Sequence, residues 1–352
     1  MLIRRSLAVG VVFCAQALFA CSAPGPEEDL AQASEPLNYT FAGRLNIRSD
    51  ETVVAPRGIG LLDLFAARYL GSPPVHRVEY SRYTDATGWQ APVSLGSPGG
   101  NPRSLASCNN GGRVDLFAGA ANGKVYHTVS DVPGNWSVPW YEVPGIAIKS
   151  PDADDGITVT SWAPGRLDLF WITPLGNIGH KWAVGNVWQG TETGDQGIWY
   201  LQPAAGGVYS PPIESVSYAA NRLDIIVKAN QGSGGMNHHY FDGVGWNRQH
   251  VPCCKRPNGT NFTFNEYVVM RSPSTNSGFE LFVKDSNILQ QFYYLQGWSV
   301  TNGAATADDS TQTFAFGSTT QLNDGLMWNG TRRDIFGWQP GSGFDVVWQM
   351  YF

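Results

Sequence analysis

"APGRLDLFW", residues 163–171, decides the fold. Arg166 to Phe170 has the length and aliphatic and aromatic content of a buried strand, yet a carboxylate, Asp168, stands among Leu167, Leu169 and Phe170. A lone charge in such a place costs several kcal/mol unless it is paired or hydrogen-bonded. The pattern recurs as "GLLDLF" (60–65), "GRVDLF" (112–117), "GRLDLF" (165–170), "NRLDII" (221–226), "SGFELF" (277–282) and "TRRDIF" (331–336). The acids Asp63, Asp115, Asp168, Asp224, Glu280 and Asp334 follow one another at 52, 53, 56, 56 and 54 residues. A fixed period near 50 residues marks a repeat architecture.

Each unit reads as four short antiparallel strands. A first strand such as "ITVTSW" (157–162) precedes the acidic strand. A Gly, Asn and Pro-rich turn leads to a third strand such as "NIGHKW" (177–182), and a fourth begins near Trp89, Trp136, Trp188, Trp246 or Trp298. Four strands per roughly 50 residues is one blade of a β-propeller. After Asp334 only 18 residues remain, enough for a third strand and no fourth, while "NYTFAGRLNI" (38–47) precedes the first unit and has no place in it. The expected fold is therefore all-β, a six-bladed β-propeller over residues 38–352 whose N-terminal strand closes the last blade. Ring closure removes exposed sheet edges.

The buried acids need partners, and the third strand offers a column of histidines. His76, His127, His180 and His238 follow their acids by 13, 12, 12 and 14 residues. Residues equidistant from a hairpin turn share one side of the sheet, so the pairs Asp63–His76, Asp115–His127, Asp168–His180 and Asp224–His238 read as scaffolding. In the sixth unit the same offset brings Asp334 to Val346, which cannot serve. A catalytic Asp–His dyad belongs to one cleft, not to every repeat.

The 352 residues are 15% charged and 12% aromatic, with 41 glycines and a formal net charge of −6. That balance argues against disorder and leaves no basic footprint for nucleic acid. Arg4 and Arg5 precede a small and apolar run from Leu7 to Ala20, which reads as a signal peptide over residues 1–21. "LFAC" (18–21) is similar to a bacterial lipobox, so two readings stand, lipidation at Cys21 with a lipid anchor or ordinary cleavage and secretion. Residues 22–37 have the composition of a flexible linker. Both readings place the chain outside the cytoplasm, secreted or at the cell surface. Beyond the leader, Cys108, Cys253 and Cys254 leave at least one thiol unpaired or intermolecular. No spacing suits zinc, and no cofactor is expected.

"SWAPGRLDLFWITPLGNIGHKW" (161–182) resembles the repeat of the PLL-type (Photorhabdus lectin-like) propeller lectins, and the likeness runs over essentially residues 38–352. The resemblance implies a sugar-binding propeller of six or seven blades that takes fucose or O-methylated sugars between blades. From chemistry alone, a sugar site wants an aromatic face beside forked donors. The pairs Trp162–Arg166, Tyr218–Arg222 and Trp328–Arg332 supply both, with Cys108 near the aromatic place in the second unit. Packing is the competing reading of these aromatics, and a bridge to the nearby acid that of the arginines. The chain is expected to be a multivalent, non-catalytic lectin for glycans or glycoconjugates. A surface scaffold for a protein partner is the alternative. A glycosidase or lyase is third, because no separated pair of acids stands apart from the repeats.

Overall fold

The computed structural model describes residues 40–44, 51–70, 75–149, 156–189, 207–229, 236–251, 264–271, 279–285, 291–295, 313–315, 321–328, 332–339 and 346–351. The leader, Cys21, the linker, Cys253, Cys254 and Trp298 lie outside these residues. Every regular element among the described residues is a β-strand, and every pairing is antiparallel.

The strands form six sheets. Sheet 1 holds β2 (Glu51–Gly58), β3 (Leu61–Leu70), β4 (Val75–Thr84), β5 (Gly88–Trp89) and β6 (Val93–Ser94). Sheet 2 holds β7 (Pro102–Asn110), β8 (Arg113–Ala120), β9 (Val125–Ser130) and β10 (Tyr141–Glu142). Sheet 3 consists of β11 (Ile157–Thr160), β12 (Arg166–Ile172), β13 (Ile178–Val184) and β14 (Val187–Gln189). Sheet 4 consists of β15 (Tyr209–Val216), β16 (Leu223–Ala229), β17 (Met236–Phe241) and β18 (Trp246–Val251). Sheet 5 is built from β19 (Phe264–Arg271), β20 (Phe279–Asp285), β21 (Gln291–Leu295) and β22 (Thr313–Ala315). Sheet 6 combines β23 (Gln321–Trp328), β24 (Arg332–Gln339) and β25 (Val346–Tyr351) with β1 (Thr40–Arg44), which pairs with β25.

Hairpins between first and second strands turn at the head of the recurring motif. Gly165 takes φ 78° there, and Asn221 in the same place takes φ 57°. Left-handed backbone favours Gly, and Asn is among the few other residues that adopt it readily, which explains why the motif begins with one or the other in the first four units.

The first strands touch in sequence. β2 meets β7, β7 meets β11, β11 meets β15, β15 meets β19, β19 meets β23, and β23 meets β2. A cavity of about 360 Å³ is lined by residues from all six of these strands. Backbone-to-side-chain bonds tie neighbouring first strands: Leu105 N donates to Glu51 at 2.9 Å, Ile157 N to Ser104 at 3.3 Å, Ser215 N to Thr158 at 3.1 Å, and Val54 N to Asp324 at 2.7 Å.

Both faces of the second strands are buried, which is why the motif reads as a nearly continuous apolar run. Leu62, Leu64 and Ala66 pack with Leu326 and Phe336 of sheet 6, while Phe65 and Ala67 on the other face pack with Leu105, Val114 and Leu116 of sheet 2. Leu167, Leu169 and Trp171 likewise meet sheet 2, and Phe170 and Ile172 meet Leu223, Ile225 and Val227 of sheet 4. Burying one such Phe or Leu contributes about 1.5–3 kcal/mol. The acid lies two residues before Phe65 or Phe170 and so shares the second group's face, which looks toward the following sheet.

Candidate functional site

Asp63, Asp115, Asp168, Asp224 and Asp334 are all fully buried. In sheets 2, 3 and 4 the acid accepts from a histidine Nε2, at 2.8 Å for Asp115–His127, 2.9 Å for Asp168–His180 and 2.7 Å for Asp224–His238. The bond is diagonal. The residues opposite the acids are Val129, Trp182 and Tyr240, whereas the histidines stand opposite Phe117, Phe170 and Ile226, two places along the same face. The other ring nitrogen, Nδ1, meets the Tyr141 hydroxyl in His127 and the Gln249 amide, at 2.7 Å, in His238. Burial lowers the pKa of both rings against the opposing pull of their acids, so each is a neutral donor. Asp168 feels burial upward, but the bonds from His180 and Arg166 outweigh it and hold the carboxyl below its usual range.

Sheet 1 breaks this arrangement, and the pair Asp63–His76 does not form. Both strands of its central hairpin, β3 and β4, run for ten residues, so His76 lies opposite Tyr69 next to the turn, far along the strand from Asp63. Tyr80 occupies the histidine's place opposite Phe65 and donates its hydroxyl to Asp63 at 2.6 Å. Burial, followed by the Asp63 charge, raises the Tyr80 hydroxyl to about 12. Asp63 also takes a bond from Arg57 Nε, a residue of the first strand that the sequence pattern did not single out. In sheet 6 Asp334 stands opposite Tyr351, not Val346, which pairs with Gln339.

The arginines ahead of the acids use two of their three nitrogens on them. Arg166 Nε and Nη2 reach Asp168 at 2.8 and 2.7 Å, and Arg222 does the same to Asp224 at 2.8 and 2.6 Å. Arg113 makes the equivalent fork to Asp115. The guanidinium groups of Arg166 and Arg222 also lie near two aromatic rings apiece. Arg166 lies 4.7 Å from the Trp162 ring centre and 5.8 Å from that of Trp182, and Arg222 lies 5.5 Å from Tyr218 and 4.3 Å from Tyr240. The two candidate pairs thus become aromatic–Arg–aromatic stacks, whose second ring, on the third strand, is the residue opposite the acid. All four rings are half-buried, and among the described residues Nη1 of both arginines meets no acceptor.

Sheet 2 lacks this stack. Cys108 stands opposite Asp115, at the place of Thr160 and Val216, and Asn110 lies two residues beyond it, nearer the position of Trp162 and Tyr218. Asn110 accepts from Gly165 N at 2.7 Å, and Val129 opposite Asp115 offers no ring. Cys108 is a free thiol lining the six-strand cavity, and burial, with Asp115 and Asp168 nearby, pushes its pKa far up. Trp328 and Arg332 are paired across β23 and β24, and their side chains lie outside the described residues. The fourth-region tryptophans pack edge-on against the preceding sheet, Trp136 on Phe65, Trp188 on Phe117, Trp246 on Phe170 and Trp89 on Phe336.

No family model matches the chain, and no curated protein matches it significantly. Among solved structures it is similar to the BP39L lectin from Burkholderia pseudomallei, with a TM-score of 0.56, 20% identity, and coverage of 86% of this chain and 81% of that one. AofleA from Arthrobotrys oligospora aligns with a TM-score of 0.54 at 12% identity, over 90% of this chain and 86% of that one. The SapL1 lectin in complex with alpha methyl fucoside gives 0.52 at 14% identity, over 85% and 96%. At these identities the likeness is one of fold.

Proposed function

We propose that this chain is a carbohydrate-binding lectin of the PLL type, built as a closed six-bladed β-propeller whose last blade is completed by β1. The ring reading rests on the cyclic succession of first-strand contacts and on the cavity they share. The lectin reading is carried by one observation: sheets 3 and 4 present the same aromatic–Arg–aromatic stack at the same end, each with a free Nη1 fork. A pyranose lays its C–H face on such a ring and its hydroxyls against the fork. The two neighbouring solved lectins fit this use of the fold. Asp63, Asp115, Asp168 and Asp224 are fully buried and each is met by an arginine, which suits a binding protein without chemistry of its own.

The ligands are fucosylated or O-methylated glycans, bound at repeated weak sites that gain through avidity. The protein acts outside the cytoplasm, secreted or tethered through Cys21. Titration of the intact chain with methyl α-fucoside tests this. Binding at both stacks is expected, with Trp162→Ala and Tyr218→Ala each removing one site. No binding to any fucosylated or methylated sugar on a glycan array overturns it.

A second reading draws on the exposed aliphatics Ile59, Val132, Val187 and Val244. They stand in or beside turns of four different sheets, at the end that carries the arginines, as a protein-docking rim would. Attachment to cells that methyl α-fucoside fails to compete, and that Val187→Asp with Val244→Asp abolishes, would favour this reading over the lectin.

A further inference from the structure

The junction between sheets 1 and 2 brings two unmet buried donors together. The Arg57 side chain is 1% exposed. Its Nε serves Asp63 and its Nη1 reaches the carbonyls of Ser130 at 3.0 Å and Gly112 at 3.3 Å, but its buried Nη2 meets no acceptor. The ring of Trp136 lies 5.8 Å from the same guanidinium, and its buried indole N–H also meets none. Two adjacent buried donors without acceptors call for an oxygen or an anion between them.

Charge separates these two occupants. In sheets 2, 3 and 4 one arginine is matched by one buried acid. In sheet 1 both Arg57 and Arg82 face Asp63, with Arg82 Nε 3.8 Å from the carboxylate and 2.9 Å from the Tyr80 hydroxyl. The Arg82 guanidinium lies against Gly134 of the β9–β10 connection, where a Cβ would overlap it, so it too is held at the junction. The other acids nearby are engaged elsewhere: Glu51 accepts from Leu105 N, and the exposed Asp131 acts on Arg113. A water molecule satisfies the donors and leaves the surplus positive charge. A monatomic anion of similar size satisfies both.

We infer that this junction binds a halide, chloride under ordinary conditions, held by Arg57 Nη2 and Trp136 Nε1 with Arg82 adding charge. The site is independent of the sugar stacks on sheets 3 and 4. Two measurements test it together. Crystals of the full chain grown in sodium bromide are expected to show an anomalous peak within hydrogen-bonding distance of both donors. In solution at constant ionic strength, replacing sodium gluconate by sodium chloride is expected to shift the Trp136 indole ¹⁵N–¹H cross-peak saturably and to raise Tm. Trp136→Phe keeps the ring against Phe65 and removes the N–H, and it is expected to weaken the chloride response about tenfold or more. A water without anomalous signal at this position overturns the inference. So does a bromide peak with no chloride response in solution, which is binding at crystal concentration only.

Discussion

Sheets 1 and 3 solve the same problem with different residues. Each buries a carboxylate completely in a strand packed on both faces. In sheet 3 the acid is held by a fork from Arg166 on its own strand and by His180 on the next. In sheet 1 the motif arginine is replaced by Leu61, and the fork's place is taken by Arg57 from the first strand, with Tyr80 in the histidine's position. The difference teaches that the repeat conserves a requirement, two or more donors on a buried acid, rather than a set of residue types. It also has a functional consequence. Arg166 is partly open and flanked by rings, whereas Arg57 is sealed in, so the same cation faces solvent in one sheet and the interior in the other.

The contrast can be broken experimentally, beginning with the largest effect. Asp63→Ala strands the Arg57 charge in the interior, and a loss of about 4–5 kcal/mol is expected from urea unfolding. A loss below about 1 kcal/mol would show that the Arg57 charge finds water after all. Tyr80→Phe removes the bond donated to Asp63 and the one accepted from the partly buried Arg82, for an expected loss of about 1.5–3 kcal/mol in the same assay. An unchanged midpoint would return the role of partner to another residue of sheet 1.

Acid sharpens the comparison from the side of the histidines. His127 and His238 are neutral in the folded chain because burial lowers their pKa, whereas in the unfolded chain they titrate near the ordinary value of 6.5. Below about pH 6.5 the unfolded state therefore binds more protons, and stability falls by about 1.4 kcal/mol per pH unit for each such histidine. The depressed Asp168 acts in the same direction at lower pH, its contribution being lost as pH drops through its folded pKa. Unfolding free energies measured from pH 7.5 to 5 check this, and a flat profile would contradict it. The smallest expected effect is that of Arg113→Lys, which exchanges a two-pronged fork for a point charge at a partly exposed site. A loss of about 1 kcal/mol is expected there, readable as a shift in Tm.

The sequence carried the period, the acidic column and the histidines of sheets 2 to 4, because strand length and turn length are nearly constant in those units. Offset counting failed where the hairpin lengthened. In sheet 1 an offset of 13 points to His76, but the extended β3–β4 hairpin carries that residue to the turn and brings Tyr80 beside the acid. The count also took a diagonal pair for a direct one, since the residue opposite Asp168 is Trp182. That error hid half of each stack. Trp182 and Tyr240 are visible in the sequence, two residues after the histidines, yet only the register shows that they cover the second face of the arginine. Arg57 carried no motif signal, because its role depends on a neighbouring sheet rather than on its own repeat.

The central claim is that the recurring acid holds the sheet together and takes no part in binding or chemistry. Asp168→Ala tests it most directly, with urea unfolding at pH 7 and methyl α-fucoside titration performed on the same sample. The expected result is a loss of about 3 kcal/mol in stability with sugar binding retained at the Tyr218–Arg222–Tyr240 stack. Stability within about 0.5 kcal/mol of the unaltered chain, accompanied by loss of sugar binding at every site, would contradict the account.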